Sequence, residues 1–174
     1  VSGSPSQFRV DYVEAALIAL LKSVMPAAYG TEEAPVLVDV NSVNSKDFND
    51  QGQLTLKPPS IRVEFGGAHF RNLRDNQKLT YENGQLFHVL CFVSSLRSKA
   101  DERLQILSLV AVALNQLAGA RLALADGSSS MPIEIKDVAL VLPNDGGPVD
   151  QLFAITIEIS GIAQYDGPNA RFGS

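Results

Sequence analysis

Cysteine, histidine and tryptophan are scarce in this chain of 174 residues: one Cys, two His and no Trp. A lone Cys91 excludes an intrachain disulfide framework and a thiolate-rich zinc site. No run of about 20 apolar residues exists, so no segment reads as a helix that spans a bilayer. Basic charge is in deficit. Fourteen Lys and Arg against 19 Asp and Glu leave a net −5, the wrong balance for a protein that wraps nucleic acid by neutralising phosphates. What remains is 45% hydrophobic and 19% charged, a globular composition. A chain of this size buries roughly 70% of its unfolded surface, enough for one core. The composition reads as a single soluble domain and points mildly away from catalysis.

Val1 to Gln7 has no basic region followed by an apolar stretch. It reads as a flexible arm and not as a secretory signal, with synthesis in the cytosol. From Ser6 to Met25 the spacing of Val10, Val13, Ala16, Leu17, Leu20, Leu21 and Val24 predicts a helix with one buried stripe. Ser6 is its expected cap, Asp11 and Glu14 suit its positive end, and Pro26 its stop. Pro35-Val-Leu-Val-Asp-Val40 reads as a short strand. The stretch 41–57, rich in Asn, Ser and Asp, reads as a long loop or small hairpin.

Residues 60–70 alternate as a strand, with Ile61, Val63 and Phe65 on one face and Arg62 and Glu64 on the other. Gly66-Gly67 marks a bulge or bend. After a polar connection, residues 79–95 form a long strand. Its segment Leu86-Phe-His-Val-Leu-Cys-Phe-Val93 is apolar on both faces apart from His88, as in a strand covered on both sides or packed on another subunit. Ser98 caps a second helix, 99–117, with Gly119 just beyond its end. Its expected core stripe is Leu104, Leu107, Val110, Ala111, Leu114 and Leu117, and further apolar residues extend around much of the cylinder. Strands follow at 133–142 and 152–164, joined by a connection holding the hairpin signal Asp145-Gly146. The order predicts an α+β fold: a mostly antiparallel sheet carrying two helices, within one domain over 8–165. Residues 166–174 read as a loose tail.

Catalytic patterns are wanting. His88 and Cys91 lie three apart on a strand and leave opposite faces, so they form no local pair. Cys91 reads as a small buried apolar residue. No Gly-x-Ser-x-Gly elbow, His-x-x-x-His, Walker loop or dinucleotide fingerprint occurs. Asp47 and Asp50, like Asp145 and Asp150, read as solvated loop charges. The segment 62–78 is locally basic through Arg62, Arg71, Arg74 and Lys78. It reads as a solvated strand edge and loop, or as a patch that meets an acidic partner. The apolar excess of the second helix and of the strand ending at Val93 suits self-association.

On the opening helix (Val13 to Leu21), Ile61-Arg-Val-Glu-Phe-Gly-Gly-Ala68, Phe87-His-Val-Leu-Cys-Phe-Val93, Arg97-Ser98, the Ala- and Leu-rich helix 102–118 and Ile155-Thr-Ile-Glu-Ile-Ser-Gly-Ile162, the chain resembles the tail-terminator or tail-completion proteins of Mu-like contractile-tailed phages and prophages. The likeness spans most of residues 8–165 and is weakest over 41–57. It implies a structural virion protein, located at the tail end or neck, that forms a ring, typically hexameric. Such a ring caps the tail tube, meets the sheath and neck or head-completion proteins, and lets DNA pass without specific binding. It implies no cofactor and no catalytic motif.

Net acidity suits a lumen through which DNA slides, since each bound phosphate adds to affinity. A closed ring uses two different patches per subunit, and the basic segment 62–78 and acidic loops such as 145–150 form one such pair. Phe70, Arg71, Arg74 and Lys78 are thus expected at a subunit or tube contact. The alternatives are another neck or head-completion adaptor, or a small hydrolase dependent on His69 or His88.

Overall fold

Three long strands make the centre of the sheet, and both helices lie on one side of it. The computed structural model describes residues 7–28, 30–31, 34–35, 38–52, 55, 59–73, 79–93, 99–141 and 151–165. In chain order these form α1 (Val10–Ala28), β1 (Gly30–Thr31), β2 (Ala34–Pro35), β3 (Asp39–Ser42), a 3-10 turn (Ser45–Asp47), β4 (Ser60–Asn72), β5 (Leu79–Val93), α2 (Lys99–Leu117), β6 (Glu134–Val141) and β7 (Gln151–Tyr165). β1 and β2 pair only with each other, while the main sheet has the order β3-β4-β5-β7-β6. Every neighbouring pair in it is antiparallel except β3 with β4. The α+β fold with a mostly antiparallel sheet is therefore as the sequence predicts.

The alternation of side chains along each strand sorts the sheet into a helix face and an open face. Across the helix face, Ile61 stands opposite Cys91, Val63 opposite Val89, Val89 opposite Ile155, and Phe87 opposite Ile157. These residues are fully buried with Val13, Leu17 and Leu21 of α1 and Leu109, Ala113 and Leu117 of α2. α1 lies over β3 and β4, and α2 over β5, β7 and β6. Truncating a side chain such as Phe87 here removes about 3 to 5 kcal/mol.

Several local expectations change. α1 begins at Val10, and Ser6 lies outside the described residues. The helix also runs past Pro26 to Ala28, although a proline there gives up its own hydrogen bond and crowds the carbonyl four residues earlier. The strand expected over 35–40 is two separate pieces, β2 and β3. The stretch after β3 folds into the 3-10 turn. The Asn44 side chain accepts from the Lys46 amide, and the Asp47 carboxylate accepts from the Asn44 amide.

α2 is rotated from its expected frame: Leu109, Val110, Ala113 and Leu117 are buried, while Leu107 and Ala111 are exposed. An Ala- and Leu-rich cylinder offers more than one stripe of 3-4 spacing, and the sheet selects among them. Gly119 does end the helix, at φ +72°. Gly66-Gly67 does sit at a bulge, with Gly67 at φ +133°. On the open face of β5, Leu86, His88 and Leu90 are half-buried, with no helix over them among the described residues. Ser98, Asp145-Gly146, Arg74, Lys78, the arm 1–6 and the tail 166–174 lie outside the described residues.

Candidate functional site

The sheet keeps the cysteine apart from both histidines. Cys91 is fully buried on the helix face, and burial pushes its thiol up to about 12. A thiol so shifted carries no thiolate at neutral pH and is a poor nucleophile. His88 leaves the open face, where its Nδ1 lies 3.1 Å from Thr156 Oγ1. His69, on the same face, places Nε2 3.2 Å from Glu158 Oε1. The other Glu158 oxygen lies 3.2 Å from Lys136 Nζ, which also donates to Glu134 at 2.6 Å. These hydrogen bonds raise the Lys136 ammonium and hold the Glu134 carboxyl below its ordinary value. Each histidine rests against a glycine on the neighbouring strand. A Cβ on Gly84 would stand 2.6 Å from the His69 ring, and one on Gly66 would stand 2.7 Å from His88 Nε2. Among the described residues no three His, Cys, Asp or Glu gather as metal ligands.

The segment expected to form a basic patch divides in two. Arg62 is buried and turned away from solvent. Its Nε donates to Asp47 at 3.1 Å, its Nη2 to the Asp39 carboxylate at 2.7 Å, and its Nη1 to the Asp39 carbonyl at 3.0 Å. Asp47 is buried with it and is not the solvated loop charge its sequence context suggests. A buried guanidinium is tolerated only with such partners. The pair spans fifteen positions of chain, a distance that no local pattern reveals. Arg71, by contrast, is exposed and paired with Glu82 across β4 and β5.

Phe70, beside Arg71, is 54% exposed. Its ring meets Tyr81 edge-on at 6.2 Å, and Tyr81 meets Tyr165 at 6.1 Å. This aromatic row borders a groove of about 470 Å³ between the start of α1 and the end of β4, lined by Phe8, Asp11, Glu14, Ala68, Phe70 and Tyr165 among others. Arg9 bonds Asp11 at the rim, holding that carboxyl below its ordinary value.

Exposed large apolar side chains gather in two places on opposite sides of the sheet. Phe70, Leu73 and Leu79 mark the end of the β4–β5 pair, with Ile162 of β7 beside it, and Val138, Leu140 and Val141 mark β6. The first group overlaps the expected contact at Phe70 and Arg71. Sequence reasoning missed the second, because an apolar run such as Val138-Ala-Leu-Val141 reads equally as a buried strand. Only the strand order reveals that it is an edge.

No protein-family model and no curated protein matches this sequence. Among solved structures, the chain is similar in fold to one from the virion of a native gene transfer agent (GTA) particle. The TM-score is 0.54 at 13% sequence identity, over 87% of this chain and 96% of that one. No helix among the described residues is long and apolar enough to cross a membrane.

Proposed function

We propose that this chain is a structural protein of a phage-like particle, one that assembles as a ring, caps the tail tube and joins the tail to the neck or head. The observation that carries the reading is the shared fold: the likeness takes in almost the whole of a chain from a GTA virion. Three features of the molecule support it. The cysteine is separated from both histidines and is buried as a neutral thiol. Apolar side chains are exposed on two distinct parts of the surface, as a contact between unlike patches requires. The net charge of −5 suits a lumen that does not grip DNA.

In this reading Phe70, Arg71, Arg74 and Lys78 meet a neighbouring subunit or the tube. Its partners are further copies of itself, in a ring of six, then the tail tube protein, the sheath and the neck or head-completion proteins. Electron microscopy of the purified chain mixed with tail tubes and, separately, with portal-bearing heads tests the proposal. Rings seated on tube ends support it. Binding to the portal side alone makes the protein a neck adaptor instead.

A further inference from the structure

Two edges of the sheet stand open on opposite sides. β3 pairs only with Ser60 to Val63 of β4. From Glu64 to Arg71 the outer side of β4 faces no strand among the described residues, and every residue there is exposed or half-exposed. On the far side β6 is the last strand among the described residues, and Val138, Ala139, Leu140 and Val141 are all exposed. An open edge presents a row of main-chain donors and acceptors, which proteins ordinarily blunt with charge, proline or a bulge. Each edge has one bulge, between Phe65 and Gly67 in β4 and between Ile135 and Asp137 in β6. Beyond the bulges, Gly67 to Asn72 of β4 and Asp137 to Val141 of β6 are regular runs of six and five residues.

The two runs match in direction and in face. Strand direction alternates at each step of the order β4-β5-β7-β6. Setting β6 of one copy beside β4 of another therefore continues the alternation with an antiparallel pair. On β4, Ala68 and Phe70 share the helix face while His69 and Arg71 share the open face. On β6, Val138 and Leu140 take the helix face, and Asp137, Ala139 and Val141 the open face. Of the registers that keep both faces in common, the one that brings Arg71, already paired with Glu82, opposite Asp137 also sets Phe70 opposite Val138, His69 opposite Ala139, Ala68 opposite Leu140 and Gly67 opposite Val141. It sets one pair of opposite charges together and two apolar pairs on the helix face, with no like charges facing. A slip of one residue would turn every side chain to the wrong face. Asp137 is exposed and forms no ion pair among the described residues.

We infer that each open edge is completed by a second copy of this chain, β4 of one subunit pairing with β6 of the next through Arg71 and Asp137. The contact joins two different surfaces, so it repeats head to tail, and in the ring reading the rotation from one copy to the next closes it into a ring with one continuous sheet. The inference rests on the ring reading above and names the surfaces that make the ring.

A cysteine pair tests it. His69→Cys and Ala139→Cys are placed in one chain and mildly oxidised, with each single variant as control and circular dichroism confirming the fold. A ladder of disulfide-linked species on a non-reducing gel, ending at the closed assembly and missing from both single variants, is expected. In parallel, Arg71→Asp and Asp137→Arg should each weaken self-association at least tenfold, and the double exchange should recover most of the loss. Rings seen by electron microscopy without the ladder, and unchanged by either charge variant, overturn the edge pairing and leave the ring reading standing. A chain that stays monomeric at all concentrations overturns both.

Discussion

The ring of Phe8 occupies the space that a side chain on Gly161 would fill. Phe8 precedes α1, is buried, and holds its backbone at φ +47°, a left-handed conformation uncommon for any residue but glycine. Its carbonyl accepts from Gln85 Nε2 at 2.7 Å. The chain thus enters α1 by pressing an aromatic ring onto β7, where only a glycine leaves room.

Gly161→Ala should therefore destabilise the fold by about 1 to 3 kcal/mol, the cost of overpacking a filled site. Phe8→Ala should cost about 3 to 5 kcal/mol, as for other buried aromatics, because alanine keeps the Cβ that disfavours the left-handed backbone and relieves none of its strain. In the Phe8→Ala background the Gly161 substitution should be nearly silent, a coupling that urea midpoints at constant slope would measure. Gly84→Ala makes a useful contrast. Its new methyl meets the ends of two bonded side chains, the 62% exposed His69 and the 17% exposed Glu158, which can shift where the Phe8 ring cannot, so the change should cost about 1 kcal/mol.

The buried pair of Asp47 and Arg62 ties the Asn- and Ser-rich stretch after β3 to the sheet. Asp47→Ala leaves a buried guanidinium short of one partner and also frees the Asn44 amide. A loss of about 3 to 5 kcal/mol is expected in equilibrium unfolding. Asp39→Ala, at the exposed end of the same cluster, should cost about 1 kcal/mol or less. Equal effects at the two positions would mean that burial does not govern the pair.

Cys91 gives the fold an alkaline signature. Its folded thiol is raised to about 12 by burial, against an ordinary value of 9.0. Below pH 9 both states hold the proton and stability is unaffected. Between pH 9 and 12 the unfolded thiol ionises first, so this contribution falls as pH rises, by up to about 1.4 kcal/mol per unit. Cys91→Ala should remove that part of the slope. In the native protein the thiol should resist alkylation at pH 8 and react at once on unfolding.

Replacing His69 or His88 with Ala should leave assembly intact, since His69 joins the β4–β6 seam through its backbone while its side chain reaches Glu158, and His88 sits on a threonine hydroxyl. Mass photometry of both variants should match the parent chain. Loss of function with fold and assembly preserved would instead revive a histidine-dependent hydrolase.

Much of the fold is legible in the residues because it is set locally. Period-2 alternation places Ile61, Val63 and Phe65 on one face, and the 3-4 spacing from Val13 to Leu21 yields α1's buried stripe. His88 and Cys91 part company through strand geometry alone. What escaped is non-local. The frame of α2 depends on the sheet beneath it, and Asp47 finds Arg62 only after β3 has paired in parallel with β4. Val138 to Val141 look like core until the strand order makes β6 an edge. The exposure of Phe70 and Arg71 is legible in a polar, basic segment, but that of Val138 to Val141 on β6 is not.

The central claim is that this chain works as an assembled ring, and the mass of the purified protein, alone and mixed with tail tubes, tests it most directly. A single closed assembly of six 18.7 kDa chains, found at tube ends, is the predicted result. A strict monomer that ignores tube ends would contradict it.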